Sequence, residues 1–260
     1  MLVEIKPAEE GLKRCLPDFV RGAAVPVRGK ALAQVDPREG PGRQALDVAP
    51  ASLLLLCSWP VLLVAIALIK LTSRGAALYS QTRLGRGGKP FRIYKVRTMV
   101  TDCERASGPR WSTAGDPRVL PVGRLLRRTH VDELPQLWNV LRGDMSLVGP
   151  RPERPEFVPK LERIIPHYRD RLAVLPGLTG LAQIHLPPDS DLESVRRKLA
   201  FDLHYVHARS TWLDLRILAA TFCKFFLPFG LHGILFRLPS QATAERTYRK
   251  FVRSALPASA

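Results

Sequence analysis

The sequence predicts an α/β fold, mostly helical with one small β-hairpin, tied to a membrane through a single apolar segment. Three observations predict it. Residues 48–69 carry no charge, a run of about 22 residues that can reach across a bilayer. Two β-prone runs flank Gly85-Arg86-Gly87-Gly88, the pattern of a hairpin. Leu192, Val195, Leu199, Leu203 and Val206 recur at helical spacing.

Taken in order, residues 1–42 are rich in Gly, Pro and charge without a period, and read as a loosely ordered tail. Glu4, Glu9, Glu10 and Asp18 stand where a cleavable signal peptide needs an apolar core, so none is expected. Pro60 lies at the middle of the apolar run, where it removes a backbone donor and kinks a helix. Arg38 and Arg43 precede the run, and Lys70, Arg74, Arg83, Arg86 and Lys89 follow it. Cations on both flanks draw both ends to the cytoplasmic side. A re-entrant helix that enters, bends at Pro60 and leaves by the same face satisfies both facts. A plain span or a buried core helix is the alternative.

In the second hairpin strand, period two places Phe91, Ile93, Lys95 and Arg97 on one face. Two cations on a face that begins apolar fit an anion site beside a core, or a solvated edge strand. Residues 102–120 read as a polar loop. "VGRLLRRTHVDELPQLWNVLR" is broadly helical with a break near Pro135, "DMSLVGPRPERP" is a rigid loop, and Gly177 and Gly180 mark a second tight turn. The stripe from Leu192 to Val206 reads as core packing. "WLDLRILAATFCKFFLPFGLHGILF" is apolar but interrupted by Pro228 and two glycines, which favours an interfacial helix lying on a membrane over a second span.

Charge narrows the partners. The 260 residues hold 40 Lys and Arg against 23 Asp and Glu, a formal net charge of +17, so an anionic partner is expected. Nucleic acid, acidic lipid and a phosphorylated substrate all qualify. Cys15, Cys57, Cys103 and Cys223 are scattered and form no CxxC pair, which suits a reducing compartment and predicts neither a disulfide framework nor a zinc site.

The chemistry is concentrated in "THVDELPQLWNVLRGDMSLVGPRPE", residues 129–153. Pro135 favours a helix start just before it, which would put Asp132 and Glu133 in the first turn, where free N–H groups stabilise carboxylates. An isolated acid pair at that place is ordinarily a helix cap. Here Arg124, Arg127 and Arg128 lie upstream, and Arg151 is held between Pro150 and Pro152, a guanidinium pre-oriented to grip phosphate. Adjacent carboxylates can hold a hard cation such as Mg²⁺ and attack phosphorus. Paired acids, cations and a rigid arginine are the parts phosphoryl chemistry uses.

The run "DELPQLWNVLRGDMSLVGPRPE" resembles the signature block of the bacterial sugar transferase family, the monotopic polyprenyl-phosphate phosphoglycosyl transferases. "RQALD", central Pro60, "SQTRLGRGGKPFRIYKVRTM", "DPRVLPVGRLLRRT", "PGLTGLAQ" and "DLHYVHARSTWLDLRIL" match in order, from about Arg43 to Thr221. The resemblance implies a catalytic domain held on the cytoplasmic face of the bacterial inner membrane by a re-entrant helix kinked at the proline. The expected organisation is a tail (1–42), the membrane helix (43–72), a catalytic domain (73–225) and a C-terminal extension (226–260). It also implies transfer of a sugar-1-phosphate from a UDP-sugar to polyprenyl phosphate, with Asp132 as nucleophile, a covalent phospho-sugar intermediate and UMP as the first product. Glu133 would assist Mg²⁺ binding or proton handling, Arg127 would hold phosphate and Arg151 would contact the nucleotide-sugar. Lys95, Arg97 and Asp202, the last opening the "DLHYVHARSTWLDLRIL" block, join them as substrate-binding positions. Nucleic acid is not expected as a partner.

The chain departs from the family pattern at three places. Only Arg43, followed by Gln44, stands where a Lys-Arg pair is common, and Trp59 replaces a small residue before the kink proline. "IHLPPDSDLESVRRK" replaces a short Gly-Arg stretch, so the sugar is not fixed by the pattern. Two rival functions are a non-enzymatic membrane-tethered protein binding anionic lipid or nucleic acid, and an enzyme that transfers the sugar alone and releases UDP. His204 and His207, at i and i+3, have a spacing that permits metal ligation.

Overall fold

A computed structural model of the chain describes residues 41–105, 108, 112, 115–187, 189, 191–224 and 231–255. Residues 1–40 of the expected tail and Pro228 lie outside the described residues, and residues 41 and 42 are helical. The architecture is mostly helical, with two small two-stranded sheets.

Helix α1, Pro41–Thr72, is continuous through Pro50 and Pro60. Its residues 46–72 have a mean hydropathy of 2.6, and it is the one helix among the described residues long and apolar enough to cross a membrane. Only a narrow stripe of it is covered. Ala51, Leu62, Ala65 and Ile69 are buried, and Leu55 and Ser58 are half-buried. Those positions advance by alternating steps of four and three, which is one helix face. Pro60 and the large apolar residues Leu53, Leu56, Trp59, Val64 and Leu71 lie on the exposed side.

The hairpin follows as expected. Strands β1 (Leu78–Leu84) and β2 (Pro90–Val96) pair antiparallel from Leu78↔Val96 to Leu84↔Pro90. Gly85 N–H donates to the Lys89 carbonyl at 2.8 Å to close the turn. Gly87 and Gly88 have φ of 67° and 77°, a left-handed conformation that glycine adopts without a Cβ clash.

Helix α2, Pro121–Arg128, opens on a proline whose missing N–H costs nothing at a first turn. The helical break comes earlier than Pro135. His130 is left-handed (φ 56°), which ends α2 and leads into a single 3₁₀ turn, Val131–Glu133. Helix α3, Gln136–Leu141, starts only after Pro135. The acids therefore occupy a turn of their own instead of the first turn of the following helix.

The glycine-proline loop also contains a strand. Strand β3 (Ser146–Val148) pairs in parallel with β4 (Gly177–Thr179), with the short helix α4 (Val158–Leu161) between them. Gly177 and Gly180 make no tight turn. Both lie against the backbone of Gly149, where a Cβ on either would collide, so the requirement is close approach.

Helix α5 (Leu181–His185) leads to α6 (Leu192–Ala208), which begins on a capping box: Asp191 Oδ1 accepts from Ser194 N–H at 2.7 Å. The predicted stripe packs as core, with Val195, Leu199 and Leu203 buried. Helix α7 (Thr211–Cys223) buries Leu213, Ile217 and Ala220 and exposes Trp212, Leu215 and Phe222. Helices α8 (Leu231–Leu235) and α9 (Gln241–Ala255) complete the chain. Ala244 of α9 is buried, and Tyr248 and Phe251 pack against the core that α6 builds. Cys57, Cys103 and Cys223 are free thiols.

Candidate active site

The site forms where β2, the acid turn and the loop after β3 converge. The side chain of Asn139, fully buried on α3, behaves as a further strand beside β2. Its Oδ1 accepts from Tyr94 N–H at 3.1 Å and its Nδ2 donates to the Arg92 carbonyl at 2.7 Å. This bracket fixes the backbone one residue before Lys95. Lys95 Nζ then meets Glu133 Oε1 at 2.7 Å. From the other side Arg151 donates to Glu133, Nη2 to Oε1 at 2.5 Å and Nη1 to Oε2 at 3.3 Å.

Arg151 is itself held from behind. Pro150 and Pro152 restrict its backbone, and its carbonyl accepts from Arg171 Nη2 at 3.0 Å. Arg171 pairs with Asp202 at 2.7 Å and donates to the Tyr168 hydroxyl at 3.0 Å. Asp202, expected to touch substrate, is 2 % exposed and lies behind the arginine loop. It acts here as a support for Arg171.

The two acids differ in kind. Glu133 is buried, which disfavours its charge, but Arg151 and Lys95 outweigh burial and hold its carboxyl well below the ordinary range. Asp132 has no side-chain hydrogen bond or ion pair among the described residues. Burial, and then the charge of Glu133, push its carboxyl up to about 6, against the pull of Lys95, Arg127 and Arg151. The expected stabilisation by a helix start does not decide its ionisation, because desolvation dominates. At pH 7 a group with that value is still largely anionic.

The other predicted cations divide. Arg127 donates to Thr98 Oγ1 at 2.8 Å and Ser112 Oγ at 2.9 Å, near enough for Asp132 to feel its charge. Arg97 is committed elsewhere. Its guanidinium donates to the Arg74 carbonyl at 2.6 Å, the Ser73 carbonyl at 3.1 Å and Thr101 Oγ1 at 2.6 Å, tying off the C-terminal end of α1. The reason is register: β2 ends at Val96, so Arg97 leaves the strand face that Lys95 occupies. His204 faces Thr247 Oγ1 at 2.9 Å and His207 packs edge-on against Phe251. Among the described residues no three His, Cys, Asp or Glu side chains gather as a metal cluster.

Sequence reasoning missed Asn139, Arg171 and Lys224. Asn139 lies in the quoted signature, but nothing in a linear sequence marks an amide as a strand surrogate. Lys224 caps α7, and the charges of Arg151 and Glu133 reach it.

With this geometry in hand, comparison with known proteins is decisive. The sequence model of one family, described as bacterial sugar transferase, matches residues 39–228. The chain belongs to the bacterial sugar transferase family. Among similar members, the UDP-glucose:undecaprenyl-phosphate glucose-1-phosphate transferase of Caulobacter vibrioides is 48% identical over 183 residues, 69% of this chain and 67% of that one. The UDP-N-acetylgalactosamine-undecaprenyl-phosphate N-acetylgalactosaminephosphotransferase of Aeromonas hydrophila is 39% identical over 188 residues, 72% of this chain and 44% of that one. The exopolysaccharide production protein PSS of Rhizobium leguminosarum bv. phaseoli is 41% identical over 184 residues, 69% of this chain and 92% of that one. This bacterial sugar transferase thus spans less than half of the Aeromonas relative and two thirds of the Caulobacter one.

Proposed function

We propose that this bacterial sugar transferase moves a sugar-1-phosphate from a UDP-sugar to undecaprenyl (polyprenyl) phosphate, the first step of an exopolysaccharide, O-antigen or related glycan. The observation that carries the reading is the contrast between the two acids: Glu133 is neutralised by Lys95 and Arg151, whereas Asp132 beside it is buried, unpaired among the described residues and largely anionic. A desolvated carboxylate without a partner is a nucleophile in waiting.

In the first displacement an Asp132 oxygen attacks the sugar-bearing phosphorus. The bond from that phosphorus to the bridging oxygen breaks, and UMP leaves with the electron pair. In the second, an oxygen of the lipid phosphate attacks the same phosphorus, the aspartyl oxygen leaves, and the carboxylate is restored. Arg127 and Arg151 bind and orient the phosphates, and Lys95 and Arg151 keep Glu133 ionised so that its proton does not compete for Asp132.

Mg²⁺ fits the donors in part. Mg²⁺ binds through one or two carboxylates together with substrate phosphates. Asp132 offers such a carboxylate, while both oxygens of Glu133 are engaged by cations. When bound, the ion supplies charge neutralisation at the diphosphate.

The placement is at the cytoplasmic face of the inner membrane. The covered stripe of α1 from Ala51 to Ile69 covers about 27 Å along the helix, close to the thickness of a bilayer core. A perpendicular span would drag the ionised site into hydrocarbon. A re-entrant helix, bent at exposed Pro60, keeps the domain at the surface with its outer face in lipid. The units that follow from this are the membrane helix (43–72), a catalytic domain (73–225) and a C-terminal extension (226–260).

The test is a panel of UDP-sugars with undecaprenyl phosphate, reading the nucleotide released. UMP is expected, and UDP would make the enzyme a transferase of the sugar alone. Turnover that survives excess EDTA would remove Mg²⁺ from the reaction.

A further inference from the structure

We propose that Lys224, at the C-terminal end of α7, binds the phosphate of the lipid acceptor. The proposal rests on the transferase reading and assigns the second substrate of that site.

Lys95 and Arg151 are tied to Glu133, and Arg127 is hydrogen-bonded to Thr98 and Ser112. Lys224 is different. Its Nζ donates to the Gln183 carbonyl at 2.8 Å, and it has no carboxylate partner among the described residues. It is nonetheless half-buried. Burial, and then the like charge of Arg151, lower its affinity for the proton, while Glu133 raises it. A desolvated cation without a counter-charge is costly unless an anion arrives.

Position decides which anion. The Gln183 anchor lies on α5, directly after β4, which pairs with the β3 strand that feeds the Arg151 loop. Lys224 thus meets this sheet from the α7 side, where the charges of Arg151 and Glu133 reach it. Phe222, two residues before it, is 68% exposed, and Trp212 and Leu215 on the same helix are 69% and 53% exposed. A polyprenyl phosphate carries one anionic head on a long apolar tail. Lys224 caps the helix that carries these apolar side chains and lies within electrostatic reach of Glu133 and Arg151. In-line attack needs the incoming phosphate in the space UMP has left, so a cation held at this edge meets the acceptor as it arrives.

The experiment separates the two displacements in the full-length enzyme in detergent. UDP-sugar alone loads the phospho-sugar adduct, UMP is removed, and undecaprenyl phosphate is titrated in to discharge it. Lys224→Gln should raise the acceptor concentration for half-maximal discharge by about tenfold or more, the size of one charge-assisted hydrogen bond. Adduct formation should slow by less than about threefold, and Lys224→Arg should restore most of the acceptor dependence. Equal loss in both steps, or none in discharge, would overturn the proposal. So would loss of binding to vesicles of phosphatidylglycerol with discharge unchanged, because Lys224 would then serve bulk lipid headgroups. If wild-type enzyme forms no adduct, the transferase reading itself has failed, a result distinct from any of these.

Discussion

At the scale of single residues, several buried carboxylates are held by more than one cation. Glu153 is the fullest case: Lys198 lies 3.4 Å away, Arg171 3.6 Å and Arg83 3.8 Å. Burial pushes its carboxyl up, but Lys198, Arg171 and Arg83 outweigh burial and bring it down to about 2. A carboxyl depressed on folding stabilises the protein above its unfolded value, and that stability is lost as pH falls. The window here runs from about 4.5 to 2, and the shift corresponds to roughly 3 kcal/mol. The thermal midpoint of the wild type should fall across that window. Glu153→Gln should start lower at pH 6, with Arg83 left without its carboxylate while Arg171 and Lys198 keep Asp202 and Asp189, and show a flatter acid limb. Parallel curves would remove Glu153 from the network. In the proposed reaction Glu133 is the counterpart. Glu133→Gln strands Lys95 and Arg151, so turnover should fall by about 100-fold or more, with the adduct still on Asp132.

At the scale of elements, Asn139 connects α3 to the hairpin. Asn139→Ala would leave Tyr94 N–H and the Arg92 carbonyl without their partner, a cost of roughly 2–4 kcal/mol. Faster hydrogen exchange at the Tyr94 amide and weaker turnover are expected together. Unchanged exchange would mean that the bracket does not hold β2. The elements also mark what a sequence can reveal. The hairpin was legible because two β-prone runs flank a glycine-rich turn. The α6 stripe was legible because periodicity is a local signal. The pairing of β3 with β4 was not: each strand has three residues, and some thirty residues separate them, so no pattern within a window connects them. The acid turn was half legible. Asp132, Glu133, Arg127 and Arg151 stood out by type and spacing, but the left-handed His130 that gives the pair its own turn breaks no periodicity. Arg97 and Asp202 show the converse limit, since neither spacing, for Arg97, nor a matching block, for Asp202, reveals the carbonyl or guanidinium that consumes the charge.

At the scale of the whole molecule, a helix with one docked face is joined to a buried, charged site. If α1 returns to the face it enters, tags at residues 30 and 90 should both be accessible from the cytoplasm. Labelling from opposite sides would end the re-entrant reading. On that reading Pro60→Leu, which restores the backbone donor that proline lacks, should shift the population towards a straight span. The central claim, however, is chemical: Asp132 carries the sugar phosphate between two substrates that never meet. The most direct measurement is mass spectrometry of the intact and digested enzyme after incubation with UDP-sugar and no acceptor. The account predicts one phospho-sugar on the peptide containing Asp132, UMP released in equal amount, and neither with Asp132→Asn. An adduct on Glu133, or UMP release that strictly requires the lipid, would contradict it.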